Sequence, residues 1–240
     1  MPIKKEVSIA IPCAQVVEPK TLQSMMTLTA SAIKNGITII DIGITERAMI
    51  DDARNTLTET FLKTKTEWLF WMDSDMVFSP DTLIKLFETA EKKDAKLVTG
   101  IYYQRKGMNY PCLWSRGEEL DNGDITGMGS PKSKTNKYVG TFIFPYKEKQ
   151  EPFQVHAAGF GCVLVHRSVL EVMPRPWFQF LKGQCSEDFY FFVNAAELGF
   201  KVWADPRINL WHLGDAPMIG KEEFWQKALK ENIEVNSIKK

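Results

Sequence analysis

Apolar residues arrive along this chain in short blocks separated by amphipathic stretches. Residues 7–11 form an apolar strand closed by Pro12, and residues 20–34 carry helical periodicity that Asn35-Gly36 stops. A second strand spans residues 37–40, with Asp41 and Gly43 marking its end, and the next helix spans 47–63. The stretch EWLFWMDSDMVF, residues 67–78, reads as a third strand. Ser79-Pro80 starts a helix running to Lys93, and a fourth strand spans 96–102. Strand and helix in this rhythm predict an α/β fold: a Rossmann-like, mostly parallel sheet with helices on both faces, whose ligands bind outside the carboxyl ends of the strands. From about Gln104 the pattern is less regular. Gly, Pro and Lys crowd residues 105–150, shorter strands follow, and residues 189–198, 207–210 and 221–230 read as helix, strand and helix.

The central question is the pair of aspartates in the third strand. A continuous apolar run is what a strand covered on both faces looks like, so Asp73 and Asp75 fall at its carboxyl tip. Residues i and i+2 of a strand lie roughly 6.6 Å apart at Cα and face the same way. Two carboxylates at about 5 Å repel by roughly 3 kcal/mol at an effective dielectric of about 20. A divalent cation is an economical compensation, since Mg²⁺ or Mn²⁺ takes carboxylate oxygens and shares its remaining positions with phosphate. For the tripeptide alone the alternative stays open that one aspartate caps the following helix while the other faces water.

Composition narrows the setting. In 240 residues, 44% hydrophobic content supports a sizeable core, and thirty basic against thirty acidic residues exclude a global field toward nucleic acid or anionic membrane. The N-terminus lacks an apolar signal region and no run reaches the roughly 18 apolar residues of a membrane span, which predicts a soluble, cytoplasmic protein without a transmembrane segment. Cys13, Cys112, Cys162 and Cys185 are widely spaced, the pattern of reduced, mostly buried thiols.

Ala53-Arg54-Asn55 followed by Glu67-Trp68-Leu69-Phe70-Trp71-Met72-Asp73-Ser74-Asp75 resembles the ARN…EWLxxxDxD segment of GT-A glycosyltransferases, especially those related to family 2. Ile9-Ala10-Ile11-Pro12 is similar to that family's first strand and Asp41-Ile42-Gly43-Ile44-Thr45 to its DDGST turn. Ser186-Glu187-Asp188 is similar to its ED motif and Trp211-His212-Leu213 to its late histidine. The resemblance runs in order from about residue 7 to 215. It implies a GT-A domain over residues 1–215, with a nucleotide-binding half at 1–103 and an acceptor and catalytic half at 104–215, followed by a helical extension at 216–240.

The resemblance further implies a hexosyl- or pentosyltransferase using a nucleoside-diphosphate sugar, with a UDP-sugar favoured, and Mn²⁺ or Mg²⁺. Pro12 and Asp41 would contact the base, Arg54 would lie near the nucleotide, and Asp73 would serve both metal and donor. Asp75 and His212 would complete the metal set. Glu187 and Asp188 would be catalytic, with Asp188 the base of an inverting transfer. Ile42 replaces the second aspartate of the DDGST turn, which leaves Asp41 to carry that contact alone.

Local readings accompany these roles. Ser186, Glu187 and Asp188 also suit the capped start of a helix. Gly159 and Gly161 flank Phe160 and allow close backbone approach, which the resemblance implies on the acceptor and sugar side of the cleft; a turn into a buried strand is the local alternative. Trp114, Trp177, Phe178 and Phe180 are candidates for a sugar-stacking wall or for ordinary packing; His156 and His166 read as structural. Residues 131–150 hold five lysines against one glutamate, with interleaved aromatics, matching either a solvated hairpin or an edge for a polyanionic acceptor such as hydroxylated DNA. A glycan or small-molecule hydroxyl is the other acceptor class. Rival functions are a haloacid-dehalogenase-like phosphatase, which fits DSDMV but places it on a first strand, a nucleotidyltransferase with a strand-end DxD, and a non-catalytic nucleotide- or glycan-binding domain.

Overall fold

The computed structural model describes residues 3–105, 109–116, 118–119, 125–126, 140–143, 150–214 and 220–230. The first half runs β1 (Glu6–Ile11), α1 (Pro19–Lys34), β2 (Thr38–Ile44), α2 (Ile50–Leu62), β3 (Trp68–Met72), β4 (Met76–Phe78), α3 (Thr82–Lys93) and β5 (Leu97–Ile101). The second half adds β6 (Leu113–Arg116), β7 (Glu118–Glu119), β8 (Ile125–Thr126), β9 (Gly140–Phe142), β10 (Phe153–Val155), β11 (Ala157–Ala158) and β12 (Cys162–His166). It ends with α4 (Arg167–Val172), α5 (Glu187–Glu197), β13 (Val202–His212) and α6 (Lys221–Lys230). Helix α1 stops at Asn35, and Gly36 takes the left-handed conformation (φ 78°) that turns the chain into β2.

The main sheet has the order β10-β13-β5-β12-β3-β1-β2, with β4 attached to β13. Parallel pairing of β1 with β2 and β3, and of β5 with β13, gives five strands one direction; β12 and β10 run against them. This is the GT-A arrangement, a mostly parallel sheet between two helical layers. Helices α2, α4, α5 and α6 bury one face around Trp71, Phe160, Phe178, Phe191 and Phe192, while α1 and α3 bury the other around Trp68, Phe70, Phe78 and Phe87. No helix among the described residues is long and apolar enough to cross a membrane.

Three differences from the sequence reading shape the site. First, the stretch at 67–78 is two strands: β3 ends at Met72, residues 73–75 turn, closed by the Met76 N–H to the Asp73 carbonyl (3.3 Å), and β4 pairs antiparallel with β13. Two carboxylates inside a buried ladder would lose their hydration, so the chain turns them out of the sheet, and the i, i+2 strand geometry does not apply. Second, β12 lies antiparallel between β3 and β5. Its run Cys162-Val163-Leu164-Val165 is apolar on both faces and reads the same in either direction. Third, β2 continues to Ile44, which pairs with Ile11, so Asp41 sits about three residues, or roughly 10 Å, short of the strand tip. The lysines at 132, 134, 137, 147 and 149 lie outside the described residues.

Candidate active site at the carboxyl edge of the sheet

The strand ends bring the sequence-predicted residues to one edge. Pro12 follows β1, Asp73 and Asp75 follow β3, Tyr102 to Arg105 follow β5, Gly161 precedes the reversed β12, and His212 ends β13. The start of α5 adds Glu187 and Asp188.

Behind these groups lies Arg54, the one cation in the buried stripe Ala53, Arg54, Leu57, Thr58, Phe61 of α2. Its Nη2 donates to Asp73 Oδ1 (3.0 Å) and its Nε to Glu187 Oε1 (3.3 Å). The guanidinium carbon lies 5.1 Å from the Phe160 ring centroid, 5.6 Å from Trp71 and 5.9 Å from Phe178. With its side chain 3% exposed, Arg54 touches the cleft through these carboxylates. The neighbouring Asn55 closes the same junction. Its Nδ2 donates to the Phe178 carbonyl (2.7 Å) and its Oδ1 accepts from the Trp177 and Phe178 N–H groups (3.1 and 3.2 Å), anchoring the segment that leads into α5. Asn55 had no role assigned from sequence, although its place beside Arg54 in the motif was the available signal.

Asp75 has different partners. Its Oδ2 lies 2.8 Å from Arg105 Nη1, and its Oδ1 faces His212 Nε2 at 3.6 Å. His212 Nδ1 donates to the Tyr103 carbonyl (2.8 Å), which puts a proton on Nδ1 and turns Nε2 toward a carboxylate oxygen. That nitrogen and the carboxylate oxygen attract through a proton or a cation between them. Burial pushes the Asp75 carboxyl up, but His212 and Arg105 outweigh it and hold the group below its ordinary range.

This donor pair fits a divalent ion. A histidine committed through its other nitrogen to a backbone carbonyl is the usual orientation of a metal-ligating imidazole, and Mg²⁺-type sites use one or two carboxylates with phosphate oxygens. The predicted three-residue set is not assembled in that form. Among the described residues no three His, Cys, Asp or Glu side chains converge on one point, because an Asp73 oxygen is held by Arg54. Arginines also supply the compensation that the sequence alone assigned to a cation.

Asp188 is the electrostatic exception. Burial and the adjacent Glu187 charge push its carboxyl up to about 7, against the opposing effect of the Ser186 hydroxyl, Arg54 and the Phe189 N–H. Ser186 Oγ and the Phe189 N–H (2.8 Å) both donate to Asp188 Oδ1. Ser186 stands at the N-cap position of α5, but its hydroxyl is spent on Asp188 and no side chain caps the helix.

The two glycines are explained by a protein group. A Cβ on Gly159 would lie 2.0 Å from Tyr102 Oη and one on Gly161 2.9 Å from Tyr102 Cζ, while the Gly161 N–H donates to that hydroxyl (3.1 Å). Both glycines are buried, and Tyr102 makes the close approach to them. Pro12 is buried at the β1 tip, and Asp41 is exposed lower on β2 with Oδ1 accepting from the Ile42 N–H (2.8 Å). The structure does not bring those two together. The β2 residue at the tip is Thr45, whose Oγ1 accepts from the Cys13 N–H (3.2 Å). Of the aromatic wall, Trp177 and Phe178 are core, Trp114 is half-buried and Phe180 is exposed. His166 accepts from the Ser168 N–H at the start of α4, a structural role, and His156 is half-buried beside Phe189.

Residues 51–173, just over half of the chain, match the profile of Glycosyl transferase family 2. The chain is 39% identical over 180 residues to "Mannan polymerase complex subunit mnn9" of Schizosaccharomyces pombe, an alignment covering 69% of this chain and 52% of that protein; the chain spans about half the length of that relative. The fold is similar to that of A197 from STIV (TM-score 0.57, 19% identity, 88% of this chain and 86% of that one). It is also similar to GalNAc-T7, solved with UDP, GalNAc and Mn²⁺ (TM-score 0.51, 14% identity, 87% of this chain and 44% of that one).

Two stability measurements check this geometry. Arg54→Met leaves Asp73 and Glu187 facing each other without their cation and lowers unfolding free energy by about 3–5 kcal/mol in denaturant titrations, whereas adding Asp73→Asn and Glu187→Gln recovers much of the loss. Gly159→Ala costs about 1–3 kcal/mol through its clash with Tyr102, and Tyr102→Phe in the same chain reduces that cost.

Proposed function

Since the chain belongs to glycosyl transferase family 2, we propose that it moves a sugar from a nucleoside-diphosphate donor to an acceptor hydroxyl, inverting the anomeric carbon. The observation that carries this reading is the pairing of His212 Nε2 with Asp75 Oδ1 on the same sheet edge as a carboxyl, Asp188, tuned close to neutral pH. One end of such a cleft suits a leaving diphosphate and the other a proton acceptor.

Asp75 and His212 would hold a divalent ion, with Asp73 beside them offering its second oxygen to the ion or to the donor. When bound, the ion supplies Lewis-acid neutralisation of charge on the departing diphosphate. Asp188 takes the proton from the acceptor hydroxyl as that oxygen bonds to the anomeric carbon, and the bond from that carbon to the diphosphate oxygen breaks with its electron pair leaving on the diphosphate. Glu187 acts on this step by its charge, raising the basicity of Asp188, while Arg54 holds the Glu187 side chain in place. Residues 1–103 then serve the donor, 104–215 the acceptor, and the segment from 216 is an extension. UDP-sugars are the donors to test first, because GalNAc-T7 of the same fold binds UDP and Mn²⁺; a mannosyl donor is second, because the fission-yeast relative is named for mannan polymerisation.

A thermal-shift panel of UDP-, GDP-, ADP- and CMP-sugars with and without Mn²⁺ tests the reading, since a ligand of the native state alone raises Tm. A metal-dependent rise with one nucleotide is expected; no rise with any of them sinks the proposal. His212→Ala should weaken Mn²⁺ binding by about tenfold or more. Asp188→Asn should lower kcat by about 10²–10⁴-fold while keeping the donor-induced shift. Because the working form of Asp188 is the carboxylate, kcat/KM rises with pH up to about 7 and levels off above it. Glu187→Gln removes a charge that raises this group and moves the midpoint to lower pH.

A further inference from the structure

The two aspartates of the 73–75 turn each carry an arginine, but the arginines are built differently. Arg54 is sealed in the core, whereas the Arg105 side chain is 46% exposed at the cleft. Arg105 nevertheless has a defined seat. Its stem lies over Gly214, where a Cβ would come within 3.2 Å of its Cδ, and its Nη1 reaches Asp75 Oδ2 at 2.8 Å.

The backbone behind it is anchored. The Gln104 N–H donates to the Tyr110 carbonyl (2.9 Å), Asn109 Nδ2 donates to the Gln104 carbonyl (2.8 Å), and Tyr103 bridges to Pro111. Helix α6 holds this base from outside: Lys227 Nζ donates to Asn109 Oδ1 (2.7 Å), and Phe224 stacks on Tyr103 with centroids 4.7 Å apart. A fixed backbone carrying a long, half-exposed side chain lets the guanidinium move while its tether stays in place.

Asp75 is therefore claimed twice. A divalent ion bound through Asp75 and His212 competes with Arg105 for the same carboxylate, and a guanidinium released there has an adjacent anion to take, the donor diphosphate. Its planar fork of N–H donors suits paired phosphate oxygens. We infer that Arg105 is a tethered counter-ion that holds Asp75 until a metal ion and nucleotide arrive together, then transfers to the diphosphate. This rests on the metal-dependent reading above. Such an exchange makes the metal ion bind weakly alone and tightly with nucleotide, a coupling between two ligands of one site.

The test is a Mn²⁺ titration of wild type, Arg105→Ala and Arg105→Lys, following the spectrum of free Mn²⁺ by electron paramagnetic resonance without nucleotide, then UDP calorimetry at saturating Mn²⁺. Removing a half-exposed competitor should tighten Mn²⁺ alone in Arg105→Ala by about two- to fivefold. UDP in the presence of Mn²⁺ should weaken by about tenfold or more as a charge-assisted contact is lost. Arg105→Lys, keeping the charge without the fork, should hold Mn²⁺ near the wild-type affinity and bind UDP at an intermediate strength. Equal Mn²⁺ affinity in wild type and Arg105→Ala, with both folded by circular dichroism, overturns the exchange and leaves the metal reading standing. Absence of Mn²⁺ binding to either protein, with or without UDP, overturns the metal reading and this inference with it.

Discussion

A guanidinium with almost no access to water ties three elements of this fold to one point. Arg54 reaches from α2 to Asp73 at the tip of β3 and to Glu187 at the start of α5, and three aromatic rings surround it. Burying such a cation costs several kcal/mol unless its partners are ionised and well placed, so each carboxylate is locked by the other's contribution to a common debt of desolvation. Asn55, one residue on, fastens the segment at 177–178 to the same helix. The tip of β3 and the start of α5 therefore share one reference point, and a shift of α2 would displace both.

The charge pattern follows from that junction. Asp73 and Glu187 are satisfied by Arg54, and Asp75 by Arg105 and His212. Asp188 has hydroxyl and amide donors but no arginine bonded to it, while Glu187 stands next to it. Its carboxyl is consequently the one at this edge that burial can push into the neutral range. This enclosed set of carboxylates thus separates into Asp188, raised by burial, and others paired with arginines.

The C-terminal helix belongs to the same economy of positions. Phe224 packs on Tyr103, whose carbonyl orients His212, and Lys227 steadies the turn that presents Arg105. An element that its sequence marks only as amphipathic is thereby connected to the residues around Asp75.

Much of this was legible in the residues. Alternating apolar blocks and helical stripes determined the α/β class and most element positions, because burial of a continuous run or of a 3.6-residue stripe depends on local order alone. The ordered motifs around Arg54, Asp73, Glu187 and His212 pointed to residues that the fold brings to one edge of the sheet. Only the tertiary structure decided what those residues touch. The reversal of β12, the break after Met72, the filling of the Gly159 and Gly161 spaces by Tyr102, and the assignment of Arg54 and Arg105 to different aspartates all depend on contacts between residues distant in sequence. A string of residues states which charges exist; which charge neutralises which, and at what degree of burial, is set by packing in three dimensions.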